Sequence, residues 1–167
     1  MKKILLSAVA VMAFGYAAQA QESGFQAGIH VGAPIGDAGD VSSFNFGADV
    51  SYLWSVADNF SAGVTTGYTH FLGKDYDVPG FGSVKADDFG YIPVAATGQY
   101  SFDQFFVAAD LGYAIYAGSG DGDGGFYYQP KVGYHIAEQL DVYVGYKGIA
   151  VDGATVSAIS VGAAYKF

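Results

Sequence analysis

Apolar and polar residues alternate with a period of two along most of the chain after residue 24. Successive side chains of a β-strand point to opposite faces, so this alternation is typical of strands with one apolar face. Ile29 and Val31, for example, alternate with His30 and Gly32. Pro93 has no amide hydrogen for a strand ladder, so we expect a bulge or local distortion there. The pattern predicts eight strands, over 25–33, 44–54, 60–68, 91–100, 105–115, 126–136, 142–147 and 159–167.

The connections between the predicted strands alternate in length. An even number of antiparallel strands, with short turns at one end and long loops at the other, is typical of a transmembrane β-barrel. A soluble barrel would turn its apolar face inward, but the polar face here holds many glycines and would make a poor dry core. We therefore predict an all-β fold, an eight-stranded antiparallel up-and-down transmembrane β-barrel. Its short turns are 57–59, 103–104 and 137–141, and its long loops are 36–43, 73–88, 117–125 and 148–155.

Aromatic residues of the apolar face concentrate near both ends of the predicted strands, and valines occupy the middle. Transmembrane barrels carry aromatic girdles where lipid meets water. Near the short turns and chain ends stand Phe25, Trp54, Phe60, Tyr100, Phe102, Phe105, Tyr165 and Phe167. Toward the long loops stand Phe44, Phe46, Tyr68, Tyr113, Phe126, Tyr128 and Tyr146. The two groups predict that the apolar face meets lipid.

The first twenty residues have the pattern of a secretory signal peptide. Lys2 and Lys3 precede an apolar run over 4–16, which is too short to cross a bilayer as a helix. Ala18 and Ala20 then place small residues where a signal peptidase cleaves. We expect cleavage after Ala20, which divides the chain into a signal peptide, 1–20, and a barrel, 21–167.

Composition narrows the possible functions. The chain has 16 acidic and 7 basic residues, a net charge of −9, which argues against binding to nucleic acid, since that binding needs clustered cations. It has no cysteine, so an exported chain of this kind has no disulfide framework. The fold must be held together by strand pairing and packing.

The C-terminal residues resemble a known signal. Ser160, Gly162, Tyr165 and Phe167 fit a polar-x-Gly-x-x-aromatic-x-aromatic pattern, which resembles the β-signal that the barrel-assembly machinery reads. The stretch 91–94 and the pair at 112–113 resemble the small outer-membrane β-barrel family of OmpA/OmpX type. The resemblance implies an outer-membrane location, insertion by that machinery, contact with lipid and lipopolysaccharide, and a monomer. We expect no peptidoglycan-binding domain after the barrel.

Four charged residues fall on the polar face of the predicted strands. Each lies roughly six to eight residues from its short turn, which at about 3.3 Å per residue puts all four at a similar depth. A lone buried charge is costly, so we predict an ion-pair network across the lumen. The network could form a static plug, which the narrow interior of eight strands favours, or a gate that rearranges to let ions pass. Its members are Asp49, Asp110, Lys131 and Lys147.

The remaining candidate chemistry is sparse. His30 and His135 face the lumen and His70 lies near the outer rim, but no two share a metal-binding spacing. Residues 121–125 resemble a calcium loop only faintly, because the later ligands are missing. No histidine has a serine two residues away, as one family of barrel deacylases does. We predict a protein without metal, cofactor or enzymatic activity, with a structural or surface-interaction role; the alternative is a narrow, low-conductance pore.

Overall fold

The computed structural model describes residues 24–78, 82–119 and 122–167. The predicted signal peptide, with Ala18 and Ala20, lies outside the described residues. In the described part of the chain, no helix has the length and hydropathy needed to cross a membrane. The elements there are β1 (Gly24–Ile35), α1 (Asp37–Val41), β2 (Ser42–Ala57), β3 (Phe60–Gly73), β4 (Asp75–Val78), β5 (Gly82–Lys85), β6 (Phe89–Phe102), β7 (Phe105–Tyr116), β8 (Gly125–Ala137), β9 (Leu140–Val151) and β10 (Ala154–Lys166).

Eight of these strands close into a barrel. Their order is β1-β10-β9-β8-β7-β6-β3-β2, and β2 returns to β1. Each neighbouring pair is antiparallel, including the closing pair, in which Gln26 stands opposite Lys166 and Ile35 opposite Ser157. The hairpin of β4 and β5 forms a separate sheet in the connection from β3 to β6. The prediction of an eight-stranded antiparallel barrel is confirmed.

The two ends of the barrel differ. The terminal end carries both ends of the barrel sequence and three two-residue turns, between β2 and β3, β6 and β7, and β8 and β9. Asn59 and Asp103 adopt positive φ angles of 65° and 53° in two of these turns, as tight hairpins require. The loop end carries the connections that follow β1, β3, β7 and β9, and three of them are long.

The prediction of a long loop over 148–155 is wrong. β9 runs to Val151 and β10 starts at Ala154, which leaves a turn of only Asp152 and Gly153. Their φ angles are 33° and 88°, and an Asp-Gly pair is among the sequences preferred for type I′ hairpin turns, which need positive φ at both positions. The turn therefore closes as soon as the strand pairing ends.

The predicted faces are confirmed. Outward residues at mid-strand are open, with Val64 53%, Val94 55% and Val132 59% exposed, whereas the inward His30 is 2% and Gln129 1% exposed. The aromatic groups lie on the outer surface at both ends, where Phe105 and Tyr113 are each 54% exposed. The outer surface of the barrel is therefore suited to contact with lipid, since about half of each of these large apolar side chains is exposed there.

Two prolines interrupt the ladders. Between β3 and β6, Thr66 pairs with Val94 and Thr69 with Tyr91, but the positions between them do not pair. The register is the same on both sides of the gap, so the predicted distortion at Pro93 is an interruption without a bulge. The hydroxyl of Thr66 donates to the Pro93 carbonyl at 2.8 Å. Pro130 lies in a similar gap between β8 and β9, which the sequence analysis did not identify.

Hydrogen bonds and an ion pair connect the segments at the loop end. The Lys74 amide donates to the Val41 carbonyl at 2.9 Å, and the Tyr76 hydroxyl donates to the Asp40 carbonyl, so α1 is tied to the strand that follows β3. Asp88 accepts from the Gly73 amide at 2.9 Å and pairs with Lys85 at 3.1 Å. These contacts, chiefly the Gly73 hydrogen bond, hold the pKa of Asp88 below its ordinary value.

Candidate functional site

The loop-end half of the interior is filled by apolar side chains, which we call the apolar plug. Its rings are in contact: Phe71 stacks on Phe89 with centroids 4.9 Å apart and meets Tyr91 edge-on at 6.5 Å. The sequence analysis predicted a polar interior throughout, and this half corrects it. Some of these residues lie on the polar face of the predicted strands, where the pattern does not say that they meet. Phe71, Ile149 and Ala158 lie outside the predicted strands. The buried members are Phe71, Tyr91, Ala95, Ala114, Tyr127, Ile149 and Ala158.

Next to the plug lies a charged belt, and its first part is an ion pair. Lys131 Nζ lies 2.8 Å from Asp110 Oδ2, and the Asp110 side chain is 1% exposed. The Thr97 hydroxyl also bonds to Asp110 at 2.9 Å and to Thr65 at 2.5 Å. A buried carboxylate needs such partners, because burying an unpaired charge is costly.

The second part of the belt is a chain of three charged or ionisable groups. The fully buried Lys147 donates to Thr69 Oγ1 at 2.5 Å and to His30 Nε2 at 3.0 Å. His30 Nδ1 lies 2.8 Å from Asp49 Oδ2. A charged lysine can only donate, so Nε2 accepts, and Nδ1 carries the hydrogen that bonds to Asp49. The imidazole of His30 therefore bridges Lys147 and Asp49.

The four sequence-predicted residues thus fall into two groups. Asp110 and Lys131 meet directly, and Asp49 and Lys147 meet through His30. Within the described ranges, no ion pair of 4 Å or less joins Lys147 to a carboxylate. The sequence analysis placed His30 inward but gave it no partner, and it missed Thr69. Both side chains lie inward by the same period-two rule, but their contacts cross the barrel between strands that are distant in sequence.

A third cluster, near the terminal end, was missed. Asp141 Oδ1 lies 2.6 Å from His135 Nδ1 and 2.8 Å from Lys166 Nζ, and the Asp141 side chain is 2% exposed. Phe106 stacks on the His135 ring at 5.1 Å. The sequence analysis assigned Asp141 to a turn, whereas β9 begins at Leu140 and turns this side chain inward. An error of one or two residues at the strand end concealed the cluster.

A small polar cavity adjoins the belt and this third cluster. Its volume is about 40 Å³, so it has room for at least one water molecule. Charged groups from both sides reach it, so this half of the interior offers water a polar site, whereas the plug residues are mainly apolar. The cavity is lined by Gln26, Gly28, Asp49, Ser51, Gln99, Phe106, Lys131, Asp141, Tyr143 and Ala164.

The belt contains a hydroxyl, an imidazole and a carboxylate in the order of a catalytic triad. His30 Nε2 lies 3.2 Å from Thr69 Oγ1, and Asp49 lies behind the ring, as nucleophilic catalysis needs. Thr69 is only 1% exposed, however, and the ammonium of Lys147 already bonds to its hydroxyl. A substrate has no path to this oxygen. In the part of the chain that the structure describes, no three His, Cys, Asp or Glu side chains are grouped to hold a metal ion.

The residues of the predicted assembly signal lie on both faces of β10. Ser160 is fully buried, and a Cβ on Gly162 would lie 2.4 Å from Cζ of Tyr143, so both positions face the interior. Tyr165 and Phe167 point outward and meet edge-on at 5.1 Å. Recognition by the assembly machinery stays a prediction.

Comparison with known proteins identifies the architecture. The profile of the outer membrane protein beta-barrel domain matches residues 6–167, and no curated protein sequence matches the chain. Ail of Yersinia pestis, solved in a phospholipid bilayer nanodisc, is similar with a TM-score of 0.57 and 15% identity, over 85% of this chain and 99% of Ail. The N-terminal β-barrel domain of Pseudomonas aeruginosa OprF gives a TM-score of 0.55 and 11% identity, over 88% and 98%. A de novo designed transmembrane β-barrel gives 0.56 and 12%, over 89% and 98%. At these identities the likeness concerns the fold.

Proposed function

This chain belongs to the outer membrane protein β-barrel domain family and is an outer-membrane protein, and from that premise we propose that its lumen is closed to solutes. In this proposal the barrel has a non-enzymatic role: it is a structural element of the membrane that presents its loop end to the cell exterior. It acts as a monomer in contact with lipid and lipopolysaccharide.

The apolar plug carries the proposal. Phe71 is 0%, Tyr127 1% and Ile149 1% exposed, so these side chains fill the loop-end half of the lumen. An ion crossing here would lose its hydration shell without finding polar replacements, which is costly. An eight-stranded barrel has an interior that side chains can fill completely.

The charged belt supports the same conclusion. A gate needs charges that can exchange partners, but Asp110 accepts from both Lys131 and Thr97 and is 1% exposed. Lys147 is held by Thr69 and His30 in the same way. Asp110 and Lys147 are each held by at least two hydrogen bonds or ion pairs, as expected of a static closure.

The outer surface supports a surface-interaction role. The connections at the loop end are acidic, and α1 and the β4–β5 hairpin hold part of them in place through Lys74, Tyr76 and Asp88. An ordered acidic surface suits a cationic partner or divalent cations shared with lipopolysaccharide phosphates. The described acidic residues at this end are Asp37, Asp40, Asp75, Asp87, Asp88, Asp123 and Asp152.

Conductance across a planar lipid bilayer tests the closed lumen. We expect no single-channel steps from the refolded wild type. The double variant Phe71→Ala/Tyr127→Ala removes the centre of the plug and should produce steps. Phe71→Ala/Phe126→Ala is the matched control, since Phe126 points outward and is 53% exposed; it should stay silent. Regular steps from the wild type would overturn the proposal.

The alternative is a narrow pore for ions or small solutes. The polar cavity of about 40 Å³ favours it, because charged residues line it. No plug residue lines this cavity, however, and a path to the loop end would also have to pass the plug, so a pore needs the plug to move. Wild-type conductance that the double variant leaves unchanged would support this alternative and would place its path elsewhere in the lumen.

We also propose that the C-terminal residues of β10 direct assembly. Deleting Phe167, which is 77% exposed, removes an outer aromatic residue and little packing. We expect slow insertion in cells and degradation before insertion, while refolding into detergent stays close to normal. Cell fractionation and heat-modifiable migration on gels measure the first, and refolding yield measures the second. Normal insertion in cells would show that the residue is not part of a signal.

A further inference from the structure

A row of inward positions crosses five neighbouring strands beside the charged belt. Gly32 on β1 stands opposite Asn45 on β2 and opposite Ser160 on β10. Ser160 in turn stands opposite Gly145 on β9, and the side chain of Gln129 on β8 reaches the space at Gly145. Polar side chains and glycines therefore alternate around this part of the wall. We call these five residues the polar row.

The polar atoms of this row are buried and lack protein partners. Asn45 and Ser160 are 0% exposed and Gln129 is 1% exposed. Asn45 Nδ2 and Oδ1, Ser160 Oγ and Gln129 Nε2 have no hydrogen-bond partner within residues 24–78, 82–119 and 122–167. The other end of Gln129 is satisfied, since Oε1 accepts from the Tyr127 hydroxyl at 2.5 Å. Buried amide and hydroxyl groups are hydrogen-bonded in nearly all proteins, because the loss of hydration is otherwise uncompensated.

The glycines let these polar ends converge. A Cβ on Gly32 would lie 2.5 Å from Asn45 Oδ1 and 2.7 Å from Ser160 Oγ. A Cβ on Gly145 would lie 3.0 Å from Gln129 Nε2. At Gly32 a Cβ would also lie 2.5 Å from the Ile159 carbonyl oxygen, so any other residue there would collide. At Gly145 a Cβ would be in tight contact, and the end of the Gln129 side chain would have to shift. The two glycines thus let the unpartnered polar ends lie against the wall, where a side chain would displace them.

We propose that the polar row is a binding site for ordered water molecules. The unpartnered groups include two amide donors, one amide acceptor and a hydroxyl that can do either. A cation would face the two amide NH₂ groups and an anion would face Asn45 Oδ1, whereas water both donates and accepts. Buried waters typically make about three hydrogen bonds to groups of this kind. These waters would be held in place by the wall, in contrast to water that passes through a pore.

Water–protein cross-relaxation in NMR decides the question. With the labelled protein refolded in a lipid nanodisc, the side-chain NH₂ groups of Asn45 and Gln129 should show cross-peaks to water with the sign of a long-lived contact. A cross-peak from a long-lived dipolar contact reverses its sign between the laboratory-frame and the rotating-frame experiment. A cross-peak from chemical exchange keeps the same sign in both. The Gln99 side chain at the polar cavity is the reference for rapidly exchanging water. Absence of long-lived cross-peaks at both Asn45 and Gln129 would overturn the proposal.

The sign of a mutational effect gives a second test. If the Ser160 hydroxyl were truly unpartnered, Ser160→Ala would leave the urea unfolding midpoint unchanged or raise it. If the hydroxyl binds water, the midpoint falls. Ser157→Ala on the same strand is the control, because the Ser157 hydroxyl bonds to the Tyr146 hydroxyl at 2.9 Å and its loss should lower the midpoint in either case. An unchanged or raised midpoint for Ser160→Ala would contradict the proposal. Both measurements are independent of conductance, so the proposal does not depend on a closed lumen.

Discussion

The two halves of the barrel interior are filled in different ways, one by apolar side chains and the other by paired charges. The loop-end half is apolar, and its rings pack against one another as they would in the core of a soluble protein. The terminal-end half is polar, and its charges are neutralised by partners on other strands around a small cavity. In the closed lumen that we propose, the first half excludes solutes by filling space and the second by pairing charges. The stability of the loop-end half should therefore fall when a side chain is made smaller. The stability of the terminal-end half should fall when a charged group loses its partner.

Loss of volume in the plug should have the largest effect. Tyr127→Ala removes a side chain that is 1% exposed and should lower the free energy of unfolding by about 3–5 kcal/mol, as large-to-small changes in cores do. Tyr143→Ala, beside the polar cavity, should cost less, because water can enter the space it leaves. Urea unfolding of protein refolded in lipid or detergent measures both. Equal costs would show that the two halves are packed alike.

Loss of a partner in the charged belt should rank second. Asp110→Ala leaves Lys131 without its carboxylate, and breaking a buried pair costs up to about 3–5 kcal/mol, less where water can reach the orphaned charge. The double variant Asp110→Asn/Lys131→Gln should cost less than the single changes Asp110→Asn and Lys131→Gln added together, because no orphaned charge remains. A double-mutant cycle by urea unfolding measures this. Strictly additive costs would show that the pair does not couple.

The rate at which a water-soluble reagent labels a buried cysteine should differ between the two halves by about an order of magnitude or more. The chain has no cysteine, so single cysteines report cleanly. Ala95→Cys places a thiol in the plug, and Gln99→Cys places one at the cavity on the same face of the same strand. A small water-soluble thiol reagent should label Gln99→Cys rapidly and Ala95→Cys slowly. Similar rates would mean that the plug is wet.

The exposed loop end should contribute least to the stability of the fold, and its contribution depends on pH. The pKa of Asp88 is below its ordinary value of 3.8, so the stability it contributes is present above that value and is lost as pH falls through the folded pKa. The protection factor of the Gly73 amide, which is the ratio of the intrinsic exchange rate at each pH to the observed rate, should fall below about pH 4. Asp88→Asn should give the lower protection factor already at neutral pH. A protection factor that stays constant as the pH falls would show that this contact does not order the hairpin.

The sequence predicted the barrel and its faces because one rule, alternation with a period of two, decides both. It also placed Asp110 and Lys131 at similar heights on consecutive strands, where the structure joins them. It did not predict the plug, because the predicted third strand ended at residue 68, before Phe71, and Ile149 was assigned to the loop over 148–155. Asp141 was missed through a strand boundary. The Asp152–Gly153 turn was available from sequence, because an Asp-Gly pair is itself a hairpin signal.

The closing seam of the barrel determines how the chain can be cut and rejoined. β1 and β10 pair over ten positions in the same antiparallel manner as the other strands, and the Phe167 amide reaches the Phe25 carbonyl at 2.9 Å. A short linker could join these ends, and the Asp103–Gln104 turn could be opened instead, to give a circular permutant with the same closed wall. Such a permutant should refold in detergent as the parent does. Its last strand, however, would no longer be the one that ends in Tyr165 and Phe167, so thermodynamic stability and delivery into the membrane would become separable properties of one barrel.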